Sequence, residues 1–319
     1  MRIRLLLASV FLFVGAQTSY AGDHFQPTPI DEESYGESYT SVVDLSDGTY
    51  ILLQLMITNA GLGSEKAACR ALIVPPGKKG SNSVKRVSKK EWSYSKTDKA
   101  LYVDQCSLSS LGGKTDFVVK TDKAHVYLTI EKAPKLTKPP GYRIRHEKKF
   151  LESEVLIPFA KAKVNLNFAG TSKKLTGWAY LDHSRSTALL PDVAARWFRF
   201  RGFYGGEPTL VQIRYPPKGG APTGWIWKAS GQPVKLKSSS IKRKLESGNN
   251  LIVIDDEAGQ IKIKTRATIF EYKPVEQYGF LGTLAKPWVG NPVNTTYRAV
   301  MNSGNKILRG TMEYQELNP

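Results

Sequence analysis

The chain has 319 residues, 41% hydrophobic and 23% charged, which is enough apolar material for a core and too little charge for a disordered polymer. Its 27 glycines and 18 prolines follow no period, heptads are absent and only two cysteines occur, so collagen, coiled-coil and disulfide-knot classes are excluded. With 46 Lys and Arg against 28 Asp and Glu, the formal charge is +18, and polyanions are its natural counterparts.

In chain order, residues 1–21 read as a secretory signal peptide. Arg2 and Arg4 precede the apolar run Leu5 to Ala16, and Ser19-Tyr20-Ala21 sets small residues where a signal peptidase reads, with the cut after Ala21. That run is too short to span a bilayer, and nothing later approaches the ~18 apolar residues a membrane helix needs. The mature chain is therefore expected in the periplasm or outside the cell, with no transmembrane segment. Export removes nucleic acid from the partners. It leaves anionic lipid and polysaccharide surfaces for the basic runs Lys78 to Lys99 and Lys132 to Lys149, although such runs also serve simply as solvated faces. An oxidising compartment lets Cys69 and Cys106 form a disulfide if their geometry allows it.

Beyond the leader, short runs rich in Val, Ile, Thr, Tyr and Phe alternate with Gly, Pro, Asn and Asp turns, and helical periodicity is scarce. Thr49 to Asn59 is one such run, and His125 to Ile130 another. In Lys161 to Phe168, Ala162, Val164, Leu166 and Phe168 alternate with lysine and asparagine, the signature of a sheet with one buried face. On the order of eighteen to twenty such segments predict an all-β chain of more than one sheet. The Pro-rich stretch Ala133 to Gly141 cannot sit in a central strand, and residues 149 to 154 carry no clear period. The expected division is a β domain over 22–150 and a second over 151–319.

Gly177-Trp-Ala-Tyr-Leu-Asp-His183, followed by the basic aromatic strand Ala194 to Arg201, is the most distinctive stretch. Together with the opening Leu45-Ser-Asp-Gly-Thr-Tyr50 through Gln54 and Thr58-Asn59, and the ending Leu308-Arg-Gly-Thr-Met-Glu313, it resembles the lipocalin-like superfamily of hydroxyneurosporene synthase, AttH-like bacterial proteins and fungal survival-factor proteins. The resemblance implies two consecutive lipocalin-like antiparallel β-barrels or curled β-sandwiches, each enclosing an apolar space.

A small barrel is either filled by side chains or holds one ligand. Trp178, Tyr180, Trp197, Trp225 and Trp227, with Arg199 as a polar group, are candidates to line a pocket for a lipid, isoprenoid or pigment, and equally for core packing. Asp182 and His183 are the candidate catalytic pair. Histidine exchanges protons near neutral pH and a carboxylate steadies a cation, which suits a hydratase, isomerase or cyclase acting on a polyene or terpenoid without metal or nucleotide cofactor. Adjacent strand residues point to opposite faces, so the two share a cavity only if the strand ends or bulges there. Neither HExxH, Gly-x-Ser-x-Gly nor a Gly-rich phosphate loop occurs, and the four histidines are too scattered for a compact metal motif.

Overall fold

The computed structural model describes residues 23–59, 64–246, 248–256, 259–274 and 291–317. The expected signal peptide lies outside these residues. Alternation of apolar and polar side chains produces strands almost throughout: β1 (Gly36–Leu45), β2 (Tyr50–Thr58), β3 (Lys66–Val74), β4 (Ser81–Val87), β5 (Trp92–Ser95), β6 (Ala100–Val103), β7 (Cys106–Leu111), β8 (Lys114–Thr121), β9 (Ala124–Ile130), β10 (Arg143–His146), β11 (Lys149–Phe168) and β12 (Thr171–Ser186). These pair in the order β4-β3-β2-β1-β12-β11-β9-β8-β7-β6-β5, with β10 beside β11, and the sheet curls into a nearly closed antiparallel barrel. Its interior is filled. Leu53, Leu55, Leu101, Leu108, Phe117 and Val126 are among the wholly buried side chains that meet there, and Phe25 from the segment before β1 joins them. Cys69 on β3 and Cys106 on β7 are joined by a disulfide across this core, with Cα atoms 6.4 Å apart.

The second sheet comprises β13 (Arg196–Tyr204), β14 (Thr209–Tyr215), β15 (Thr223–Lys228), β16 (Val234–Leu236), β17 (Ile241–Glu246), β18 (Asn249–Asp256), β19 (Gly259–Tyr272), β20 (Val293–Ser303) and β21 (Lys306–Glu316). Its order, β16-β15-β14-β13-β21-β20-β19-β18-β17, leaves β16 and β17 as free edges, so it is a curled half-barrel. The concave side is packed by Phe198, Phe200, Val211, Ile213, Ile252 and Ile263. Among the described residues no helix is long and apolar enough to cross a membrane.

The all-β, two-sheet architecture agrees with the sequence reading, but the break between sheets falls elsewhere. β11 and β12 belong to the first barrel, and the change of sheet comes between Ser186 and Arg196, around the short helix α1 (Leu190–Val193), not at 150/151. The Pro-rich stretch is an ordered loop against β11, tied by the Thr137–Val155 bridge. β11 itself accommodates Pro158 where its register with β12 shifts, between Val155, Ile157 and Ala160.

The two sheets pack face to face. Val42, Tyr50, Phe159 and Tyr180 of the first meet Phe203, Leu210, Trp225 and Trp227 of the second. The outer face of the first barrel is therefore buried here, which is why residues Val42 to Leu45 of β1 have no exposed side.

Candidate functional site

The β pairing register builds the site. Asp182 on β12 stands opposite Thr40 on β1, Thr40 opposite Gln54 on β2, and Gln54 opposite Arg70 on β3, so four polar side chains form one row on the outer face of the first barrel. The second sheet supplies a matching row: Arg199 on β13, Glu313 on β21, Thr296 on β20 and Phe270 on β19. Beside it run Trp197, Gln315, Asn294 and Tyr272. Where the rows face each other they enclose a cavity of about 250 Å³.

The polar groups around it are unequally paired. Asp182, 2% exposed, has Oδ2 3.7 Å from Nη1 of Arg199. Burial raises its carboxyl above the usual range, and the neighbouring Arg199 and Arg201 charges offset this only in part. Arg199 donates from Nε to Gln212 Oε1 at 3.1 Å and lies over the Trp197 ring. Arg201, next along the same face, is buried with its Nη1 3.0 Å from Glu313 Oε1 and its guanidinium 4.4 Å from the centre of the Tyr180 ring. Burial would raise Glu313, but Arg201 and Arg199 outweigh it and hold this carboxylate below its usual range. Arg70 donates from Nε to Asn82 Oδ1 at 2.8 Å and stacks over Tyr272. Three buried polar atoms, Asp182 Oδ2, Trp197 Nε1 and Asn294 Oδ1, have no hydrogen-bond partner in the protein, and all three residues line this cavity.

The expected pair separates. Asp182 faces the second sheet, whereas His183 points to the other face of β12, into the end of the first barrel. There it stacks on Tyr39, with Nε2 2.7 Å from Glu37 Oε1 and Nδ1 3.4 Å from Glu154 Oε2. Burial alone would lower its pKa, but the hydrogen bonds to Glu154 and Glu37 raise it to about 9. His183 is thus a cation locked between carboxylates and touches nothing in the cavity. The Asp-His adjacency in a regular strand dictated this outcome.

The expected ligand-lining residues share the interface between the sheets, not the inside of a barrel, because alternate positions 178, 180 and 182 point outward from the first. Trp197 and Arg199 reach the cavity. Tyr180 lies beneath Arg201 and Trp227 packs edge-on to Phe159, while Trp178 stacks on Phe203 and lines a shallow cavity of about 260 Å³ with Lys161, Gly177 and Tyr204. Trp225 lines a separate cavity. An open cleft of about 500 Å³ at the free edge β16 contains none of the expected residues. Sequence reasoning did not single out Thr40, Gln54 or Arg70 as site residues; the available signal was a polar side chain interrupting an apolar strand, as Gln54 does between Leu53 and Leu55. Among the described residues no group of three or more His, Cys, Asp or Glu side chains could hold a metal ion.

No family model matches the chain, and no curated protein does. Solved structures match its fold. An AttH-like protein of Nitrosomonas europaea superposes with a TM-score of 0.63 at 12% identity, covering 89% of this chain and 92% of that one. Kievitone hydratase of Nectria haematococca gives 0.57 at 12%, over 94% and 92%. CghA gives 0.60 at 9%, over 92% and 94%, and has also been solved with Sch210972. Over nearly its whole length, the chain has the two-sheet lipocalin-like fold of these proteins.

Proposed function

We propose that the protein binds a small, largely apolar molecule bearing oxygen groups in the cavity between its two sheets. The observation that carries this reading is the convergence of three unpartnered buried polar atoms, Asp182 Oδ2, Trp197 Nε1 and Asn294 Oδ1, on one aromatic-walled space. Each such group costs ~1–3 kcal/mol when left without a hydrogen bond; ligand hydroxyls would donate to the Asp182 and Asn294 oxygens, and a hydroxyl or carbonyl oxygen would accept from the Trp197 N–H. At about 250 Å³ the space lies just below the ~300–1,000 Å³ common for ligand pockets, which favours a compact lipid or isoprenoid fragment. The signal-peptide-like sequence of residues 1–21 is in keeping with an exported carrier. In the test, organic extracts of purified protein are compared by mass spectrometry with those of Ser184→Phe, which fills the cavity from β12. An apolar molecule recovered from the wild type and lost from the variant supports the reading; equal recovery, or none from either, contradicts it.

A second reading, a cofactor-free hydratase on the same ligand, is favoured by one feature. Asp182 is raised towards its protonated form and has a cation beside it. Protonated Asp182 would give its proton to a double bond, water would add to the resulting cation, and the proton that water sheds would return to Asp182. Turnover of a polyene should then disappear in Asp182→Asn and fall with rising pH as the wild-type carboxyl ionises. A rate unaffected by the substitution would contradict a proton-transfer role. His183 has no part in this scheme.

A further inference from the structure

Trp197 separates the cavity between the sheets from another, of about 190 Å³, on the flank of the second sheet. The register builds this chamber too. Trp197, Arg214 and Thr223 stand side by side across β13, β14 and β15, and Gln212, Trp225 and Lys235 across β14, β15 and β16. Gly224 makes the arrangement possible, since a Cβ there would meet the Gln212 carbonyl at 2.5 Å. The far wall comes from the first domain, where Pro140, Gly141, Arg143 and Ile144 close over it.

The lining is cationic and aromatic. Arg143, Arg214 and Lys235 border the chamber, and none of its described lining residues is acidic. Arg143 has a counter-charge, Glu152, at 3.2 Å. Arg214 is half-buried and makes only neutral contacts, from Nη1 to the Val193 carbonyl at 2.6 Å and from Nε to Thr223 Oγ1 at 3.4 Å. Its charge is not met by a carboxylate in any described ion pair, and burial lowers its pKa. Trp197, 5% exposed, forms the wall that this chamber shares with the cavity between the sheets.

We propose that this chamber is a second binding site, for a small aromatic carboxylate whose ring lies against Trp197 and Trp225 and whose oxygens face Arg214 and Lys235. A guanidinium fork matches a carboxylate with two parallel N–H···O bonds, and Lys235 adds a point charge at the entrance. A phosphate dianion fits less well, because Trp225, Ile144 and Pro140 would strip its hydration without replacing it. The site goes beyond the binding proposed between the sheets and does not depend on it, although the shared Trp197 wall would let occupancy of one chamber be felt in the other.

Calorimetric titration of the full chain with benzoate, benzamide and inorganic phosphate tests this. Benzoate should bind saturably and about tenfold or more tightly than benzamide, its neutral counterpart, with phosphate weaker than benzoate. Arg214→Lys should weaken benzoate about tenfold, and Lys235→Gln, at an exposed position, by a smaller factor; if Arg214→Lys does not fold, Lys235→Gln carries the test. Asp182→Asn should leave benzoate affinity unchanged, which separates this site from the cavity between the sheets. Absence of saturable benzoate binding, equal affinity for benzamide, tighter binding of phosphate, no effect of Arg214→Lys or Lys235→Gln, or a loss in Asp182→Asn would each overturn the proposal.

Discussion

His183 is largely buried at the end of the first barrel, stacked on Tyr39. Its ring is held by Glu37 and Glu154, and Glu37 is itself fixed by the hydroxyl of Tyr35 and the Thr28 N–H. The folded pKa, raised from 6.5 to about 9, means that folding favours the protonated ring. Its contribution is fully present below about pH 6.5 and is lost as pH rises through about 9; the lowered carboxyls of Glu37 and Glu154 add theirs only above the ordinary range of glutamate. The difference in unfolding free energy between wild type and His183→Gln, measured by denaturant titration, should therefore be widest near pH 6, at most about 3 kcal/mol, and close towards pH 10. A gap that widens with alkaline pH would show the sign to be wrong. Asp182, Trp197 and Arg199, which line the cavity, stand out in the sequence because a polar or aromatic residue at alternate positions is visible locally. Arg70 was not, since its place beside them depends on β12 pairing with β1, more than a hundred residues away in sequence.

At the scale of elements, two glycines explain why the most distinctive stretches read as they do. A Cβ at Gly177 of β12 would collide with the Asp44 carbonyl and the Leu45 Cα of β1, and one at Gly310 of β21 would collide with the backbone of Arg201 and Gly202. Each sits in the seam that carries a polar row, β12 on β1 and β13 on β21. Glycine there lets the strands approach closely enough to present Asp182 and Glu313 on facing surfaces. Gly310→Ala should destabilise the fold by ~2 kcal/mol or more in denaturant titration and displace Arg201 from Glu313. A fully stable variant would show that the close approach is dispensable. The strands themselves were legible from alternation, as in Ala162 to Phe168. Their allocation was not: the prolines from Pro134 to Pro140 have the composition of a linker, and only the Thr137–Val155 bridge shows the segment bound to the first barrel.

At the scale of the whole molecule, the sequence implies two curled sheets with an apolar space and misplaces that space. Aromatic strands suggest a hollow barrel, yet the first barrel is solid, and Trp178 and Tyr180 of β12, Phe203 of β13 and Trp225 and Trp227 of β15 are directed outward to bind the sheets together. No local pattern distinguishes the inner face of a strand from an outer face that another domain covers, because both are apolar. The basic runs likewise resolve at this scale. Lys85 and Lys89 are paired with Asp104 and Glu65, and Lys138 with Glu154, so part of the charge of these runs is met within the protein. What the packing leaves between the sheets is a small polar-floored cavity, and the functional account stands on it. Hydrogen–deuterium exchange, with and without the apolar molecule extracted from the protein, tests this most directly. A ligand held between the sheets should slow exchange in residues 180–184 of β12 and 197–199 of β13 and leave the inside of the first barrel unchanged; protection confined to β6 to β9 would contradict binding there.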